Sequence, residues 1–259
     1  MPPFRFSMMS THCNPKNKKI TMNPFKPYCH FMIAALAALL LTASTVSCKK
    51  QSTLPVKSEA KEEIKGIELY NEASRLLFPM PLDDNATIHA DSVRKAIQLL
   101  EKFLPNVDSY HLAFSQLAQA KASIHDYEGA LKVLDDAYKK FPDYASFLMQ
   151  RGATLEQMGR YDEALQAYRQ AITVYDRAAS GNSEQADPIN RAMAIGLCEG
   201  TEALRAELEA IVNDPSINEE VRQVAAYSLD EYPLYNDAQL HQVIQQAAVI
   251  FARVYDPER

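Results

Sequence analysis

Four cysteines and six histidines are the side chains of this sequence best suited to covalent or metal chemistry. A cysteine thiolate can close a disulfide, bind a metal ion, attack a substrate or accept a lipid on its sulfur. The cysteines lack a paired metal-binding spacing, and the motifs HExxH and GxSxG and a phosphate-binding glycine loop are absent. We therefore predict no catalytic site, no metal site and no cofactor, and we expect a protein that is not an enzyme.

The start of the chain has the layout of an export signal. Basic residues precede a continuously apolar run at residues 31–41, and small or β-branched residues follow up to Ser47. A membrane-spanning helix needs about 20 apolar residues, which is more than this run provides. We interpret residues 1–47 as a signal peptide that begins at Met1 or at Met22.

Cys48 is the cysteine placed to carry a lipid. Residues 45–48, Thr-Val-Ser-Cys, resemble a lipobox, with threonine where leucine is usual. The resemblance implies a bacterial lipoprotein that is lipidated on Cys48 and anchored in the cell envelope by several acyl chains. Lysines rather than acidic residues follow Cys48, which favours an outer-membrane destination by resemblance to proteobacterial sorting. A plain secretory signal is the alternative.

Cys198 is the one cysteine that remains after these assignments. Cys13 and Cys29 would leave with the signal peptide, and Cys48 would carry the lipid. Cys198 then has no partner for an intramolecular disulfide, and its apolar, helical neighbourhood predicts a buried structural thiol.

Composition and charge narrow the class of protein. The chain has 259 residues but only 7 glycines, and it is rich in helix-forming residues, which indicates an all-α fold. Five of the 27 basic residues and none of the 33 acidic residues lie before Cys48. The remainder is therefore strongly acidic, and we predict no nucleic-acid partner because acidic proteins are repelled by phosphate backbones.

A repeat with a period of 34 residues runs through the middle of the chain. Ala96, Ala130 and Ala164 lie 34 residues apart, and a fixed period of this length indicates stacked helical hairpins. Other positions keep the same register in two or three copies: Tyr127 with Tyr161, Leu134 with Tyr168, Ala118 with Gly152, and Ala137 with Ala171.

These residues resemble the tetratricopeptide repeat, with one copy at residues 111–144 and another at 145–178. The resemblance implies a small residue where the first helix of a hairpin meets the second, and tyrosines (Tyr127, Tyr161) wedged between helices. Pro142 is expected to end a second helix. Gly159 and, in the other copy, His125 are expected to form the turn within each hairpin.

The regions on either side of the two copies are predicted to be helical as well. Residues 48–61 are interpreted as a flexible tether. Residues 62–110 are interpreted as an irregular repeat with helices at 62–77 and 90–104, because prolines turn residues 78–89 into an inserted loop. In residues 179–259, helices are predicted at 189–198, 202–212, 218–230 and 237–254.

Part of this last region resembles a HEAT-type helix pair, with Asp214 and Pro215 at the turn and Val221 and Ala225 in the second helix. It is expected to cap the apolar end of the stack. The predicted fold is thus an all-α, tetratricopeptide-type solenoid of helical hairpins with a C-terminal HEAT-like helical cap.

In the tetratricopeptide family the first helices line a concave groove, so the resemblance implies a groove for a protein or peptide partner. The groove residues are expected to be Leu112, Ser115, Gln119, Ser123, Ser146, Met149, Ala153, Glu156 and Gln157. We expect a membrane-anchored scaffold or adaptor of the bacterial cell envelope. The alternatives are a lipoprotein that binds glycans or nutrients and, as a third possibility, a catalytic site in the last 80 residues that uses His241 and Glu199.

Overall fold

The structure is a computed structural model that describes residues 57–78, 87–106, 110–181, 183, 185–231, 236–249 and 253–255. The predicted signal peptide, the lipid site at Cys48 and the first part of the tether lie outside these residues. Residues 57–61, which we predicted to belong to the tether, are the first turns of a helix. This run is built mainly from Lys, Glu and Ala, which are strong helix formers.

Ten α-helices and two short strands make up the described residues. The helices are α1 (Lys57–Leu77), α2 (Ala90–Phe103), α3 (His111–Ser123), α4 (Tyr127–Lys140), α5 (Ser146–Gln157), α6 (Tyr161–Ser180), α7 (Pro188–Glu199), α8 (Thr201–Asn213), α9 (Glu219–Glu231) and α10 (Asp237–Ala247). The strands are β1 (Thr87–His89) and β2 (Arg253–Tyr255). None of the described helices is long and apolar enough to span a bilayer.

Each helix from α1 to α8 packs on the next one along the chain. Successive helices pair into the hairpins α1–α2, α3–α4, α5–α6 and α7–α8, and α9 adds to the end of the stack. First helices of neighbouring hairpins also meet, since α5 contacts α3. This arrangement is the predicted helical-hairpin solenoid with a helical C-terminal region.

The turns within the two central hairpins follow the sequence prediction. His125 and Gly159 both adopt left-handed backbone, with φ of 64° and 73°. Helix α4 ends at Lys140, two residues before Pro142, as predicted. Asp176 occupies the position 34 residues after that proline, and because it does not interrupt the helix α6 continues to Ser180.

Small residues allow the helices of these hairpins to approach closely. Ala118, Ala130 and Ala137 are buried in one cluster with Leu134 and Phe147. In the next hairpin, a Cβ added to Gly152 would lie 2.3 Å from Cε1 of Tyr168, so only glycine leaves room for this ring. The larger Tyr168 is thus matched by the smaller Gly152.

The two tyrosines predicted to wedge between helices behave differently. Tyr127 is half-buried against the cluster that contains Ala118, and its hydroxyl lies 2.8 Å from Nδ1 of His125. Tyr161 is 61% exposed, so the prediction is wrong for this residue. In the turn of the first hairpin, His125 contacts Tyr127. The equivalent turn residue of the second hairpin is Gly159, which has no side chain that Tyr161 could contact.

The end of the chain departs from the predicted long helix. Helix α10 stops at Ala247 rather than at residue 254, and residues 253–255 form β2. Strand β2 pairs in parallel with β1, with Ile88 opposite Val254, so the last residues of the predicted inserted loop are a strand. Residues 249–255 are rich in β-branched and aromatic types, which favour extended backbone.

Candidate partner-binding face

The first helices α3, α5 and α7 form what we call the first-helix face. The predicted groove residues on α3 (Leu112, Ser115, Gln119 and Ser123) are half-buried. On α5, Ser146 and Gln157 are half-buried, whereas Met149, Ala153 and Glu156 are buried. The two halves of the predicted groove therefore have different surroundings.

Helix α10 explains the difference, because it packs on α5 and α7. Eight of the twelve residues of α5 are buried, including polar ones such as Thr154 and Glu156. A groove-lining helix open to solvent would keep one side exposed. The prediction of an open groove is thus corrected for α5, where the chain's own C-terminal helix covers the surface.

Glu156 is the centre of the contact between α5 and α10. Its side chain is buried, and Nδ1 of His241 lies 2.6 Å from Oε1. The amide Nε2 of Gln245 donates to Oε2 at 2.9 Å. His241 and Gln245 are four residues apart and so project from the same face of α10. We call Glu156, His241, Gln245 and Tyr168 the Glu156 cluster.

Tyr168 is the member of the Glu156 cluster that lies on α6. Its hydroxyl donates to Glu156 Oε1 at 3.0 Å. Burial, followed by the nearby Glu156 carboxylate, raises the pKa of Tyr168 well above its usual range, so the hydroxyl keeps its proton. Since Tyr168 lies on α6, this hydrogen bond holds Glu156 independently of α10.

The hydrogen bond to Glu156 raises the pKa of His241 above its ordinary value, with burial opposing the shift. Asp237, one turn earlier on α10, adds a smaller contribution in the same direction. A protonated imidazole beside a buried carboxylate is a charge-assisted contact, which is stronger than a neutral one.

A second residue of α5 also holds Gln245. Nε2 of Gln157 donates to the backbone carbonyl of Gln245 at 2.6 Å. Carbonyls in the last turn of a helix lack a full set of intrahelical partners. Glu156 and Gln157 thus bind the side chain and the main chain of one residue near the C-terminus of α10.

The first turn of α10 is fixed to another part of the stack. Asp237 Oδ1 accepts hydrogen bonds from the backbone N and from Oγ1 of Thr201, the first residue of α8, at 2.8 and 2.9 Å. These bonds lower the pKa of Asp237. Leu240 is fully buried, and its Cδ2 would lie 3.2 Å from a Cβ built on Gly196 of α7. Gly196 therefore leaves space for α10 to approach α7.

After α10 the chain continues toward the first repeat. Val249 packs on the buried cluster that contains Ala118 and Ala122 of α3 and Phe147 of α5. Residues 253–255 then pair with β1, directly before α2. The C-terminal segment therefore contacts, in order, α7 and α5, the cluster between α3 and α5, and β1.

The residues that the sequence analysis considered for catalysis or metal binding, Cys198, His241 and Glu199, do not form one site in the structure. No group of three or more His, Cys, Asp or Glu side chains among the described residues could hold a metal ion. Cys198 is half-buried, and burial raises the pKa of its thiol, which disfavours the reactive thiolate. His241 points to Glu156, and Glu199 is exposed.

Sequence reasoning named Glu156 as a groove residue but missed its partners. His241 and Gln245 lie 85 and 89 residues from Glu156 along the chain. The four-residue spacing of a histidine and a glutamine on one helix face is the signal that was available. Nothing in the sequence pattern says which acceptor such a pair faces.

The protein is therefore a solenoid of helical hairpins whose first-helix face holds a helical segment, α10. Residues 115–183 match the family model described as "Tetratricopeptide repeat", so this part of the chain contains tetratricopeptide repeats. A crystal structure of MamA is similar at 18% sequence identity and a TM-score of 0.34, with 70% of this chain and 100% of that chain covered. A comparison with curated proteins found no match.

Proposed function

We propose that this protein is a lipid-anchored adaptor of the bacterial cell envelope that binds a helical segment of a partner protein on its first-helix face. One observation carries the proposal: the face already holds an amphipathic helix, α10, through a buried carboxylate and an apolar contact. Helix-in-groove recognition uses the same combination of one apolar stripe and a few fixed polar bonds. The tetratricopeptide match over residues 115–183 supports binding to protein rather than chemistry.

The α3 part of the face offers further surface for such a partner. Its predicted groove residues are half-buried rather than covered, and they are mostly polar or small. Ser115 accepts a hydrogen bond from Nε2 of Gln150 at 3.1 Å, so neighbouring first helices are fixed relative to each other. A fixed surface lowers the entropy cost of binding an ordered segment.

The membrane part of the proposal is supported by the apolar run at residues 31–41 and by the small residues before Cys48. The chain is expressed in a Gram-negative host with an alkyne-labelled fatty acid. The wild-type chain is expected to take up label and to sediment with membranes. The variant Cys48→Ala is expected to lose the label, whereas Cys198→Ala retains it. Label on Cys48→Ala, or an unlabelled wild-type chain, would refute lipidation.

Binding to protein is tested separately, in cells of the source organism. A photo-crosslinking amino acid is placed at Gln119 on the first-helix face and, as a control, at Lys132 on the exposed side of α4. Crosslinked protein bands are expected from the first site and not from the second. If the first site gives no protein adduct while the control chain is equally abundant, the adaptor proposal is wrong.

A further inference from the structure

Helix α10 is held to the first-helix face by few buried side chains. Only Leu240 and Val243 of its described side chains are buried, whereas α6 buries seven residues. Asp237, Ala238 and Gln242 are exposed. The helix therefore depends on polar bonds to Glu156, Gln157 and Thr201 more than on apolar packing. Elements with few buried apolar contacts open locally at the lowest cost.

Glu156, which lies beneath α10, has a contact with α6 that does not depend on α10. Tyr168 donates to Glu156 from α6, and a Cβ at Gly152 would strike the Tyr168 ring, so this ring is closely packed. Glu156 thus keeps one fixed donor and its orientation. Its other two donors both come from α10. An open face would present a positioned carboxylate with two vacant acceptor directions.

We propose that α10 is a built-in competitor, which occupies the first-helix face until a partner helix with the same pattern displaces it. This inference rests on the proposed function, because it assigns the regulation and the partner chemistry of the same face. The pattern is set by α10: a cationic or imidazole donor facing Glu156 Oε1, an amide donor four residues later facing Oε2, and apolar side chains corresponding to Leu240 and Val243.

Competition within one chain has a measurable consequence. A free helix of the same sequence can bind only to molecules in which α10 has left the first-helix face. Its apparent affinity is therefore its intrinsic affinity multiplied by the fraction of such open molecules. Weakening the bond on the α10 side raises that fraction and strengthens binding in trans. Weakening the bond on the α5 side removes the acceptor for α10 and for the free helix together, so the rise in the open fraction is offset by the lower affinity of the free helix. A change on the α10 side is therefore expected to strengthen binding in trans, whereas a change on the α5 side is not.

The test uses the full chain and a fluorescent peptide that copies residues 236–249. The variant Gln245→Leu is expected to bind the peptide about tenfold or more tightly than the wild-type chain, since a hydrogen bond to a charged group corresponds to at least this factor. Gln242→Leu is the matched control, because this glutamine lies on the exposed side of α10; it is expected to bind like wild type. Glu156→Gln in the Gln245→Leu background is expected to lose the gain.

Amide hydrogen exchange on the wild-type chain tests the same idea without a mutation. Amides of α10 are expected to exchange at least about tenfold faster than those of α6, because α10 opens without unfolding of the stack. Equal protection of α10 and α6, or equal peptide affinity of Gln245→Leu and Gln242→Leu, would overturn the proposal. Neither result depends on finding the natural partner, so an absence of crosslinked protein in cells would refute the adaptor proposal alone.

Discussion

Replacing Gly152 by alanine places a methyl group in steric conflict with the ring of Tyr168. The added Cβ would lie 2.3 Å from Cε1 and 2.7 Å from Cδ1 and Cζ. Tyr168 is fully buried and bonded to Glu156, so the ring has to shift by about an ångström and loses its hydrogen bond. Overpacking costs about 1–3 kcal/mol and the lost bond about 1.5–3 kcal/mol, while the better helix propensity of alanine returns about 1 kcal/mol.

We therefore expect Gly152→Ala to lower the free energy of unfolding by about 1.5–5 kcal/mol, which corresponds to a Tm lower by roughly 3–20 °C. Urea denaturation followed by circular dichroism measures the first quantity. The preceding repeat suggests the matching double variant, because Ala118 and Leu134 occupy the positions of Gly152 and Tyr168 and lie in one buried cluster.

The variant Gly152→Ala/Tyr168→Leu should consequently be more stable than the sum of the two single effects predicts, by about 1–2 kcal/mol, since the bulky ring that clashes with the new methyl group is gone. Additive effects in this cycle, or a Gly152→Ala chain within about 0.5 kcal/mol of wild type, would refute the proposed packing of the small residue against the ring.

Three further predictions concern the turn at Gly159 and two residues of α10, His241 and Asp237. Gly159→Ala meets no atom within 4 Å but keeps a φ of +73°, so it is expected to destabilise the chain by about 1 kcal/mol through backbone strain alone, as measured by urea denaturation. The pKa of His241 is raised by Glu156 and, less strongly, by Asp237. The resulting stabilisation of α10 is therefore complete below about pH 6.5 and is lost as the pH rises through the raised pKa. Tyr168 also faces this site, but it keeps its proton and does not contribute to the pH dependence. Amide exchange in α10, corrected for its intrinsic pH dependence, should therefore increase over that pH range in the wild-type chain. It should not increase in His241→Gln. Asp237→Ala removes the carboxylate that accepts two hydrogen bonds at the start of α8. The same exchange experiment should show faster exchange in the first turns of both α8 and α10, and unchanged exchange there would contradict the assigned contact.

The parts of the fold that follow local rules could be predicted from the sequence. His125 and Gly159 were placed in left-handed turns because few residues tolerate that backbone. Pro142 marked the end of α4 because proline cannot continue a helix. The 34-residue spacing of the alanines fixed the hairpins, since only small residues fit where two helices cross closely.

The covering of α5 by α10 could not be predicted in this way. Met149, Ala153 and Glu156 were assigned to the groove by their position in the repeat, and that position is unchanged in the structure. What covers them depends on His241 and Gln245, which are more than 80 residues away. The three-residue strands β1 and β2 are likewise too short for a periodic pattern to reveal them.

A stack of helical repeats ordinarily behaves as a linear array, in which each unit responds only to its immediate neighbours and the ends fray first. Here Ile88 near the start of the array pairs with Val254 of the segment that follows α10. This segment and α10 contact α7, α5 and β1, which do not all belong to neighbouring units, so a disturbance near the C-terminal segment reaches the first hairpin directly. Removal of β2 should thus loosen the first hairpin although it is distant along the chain.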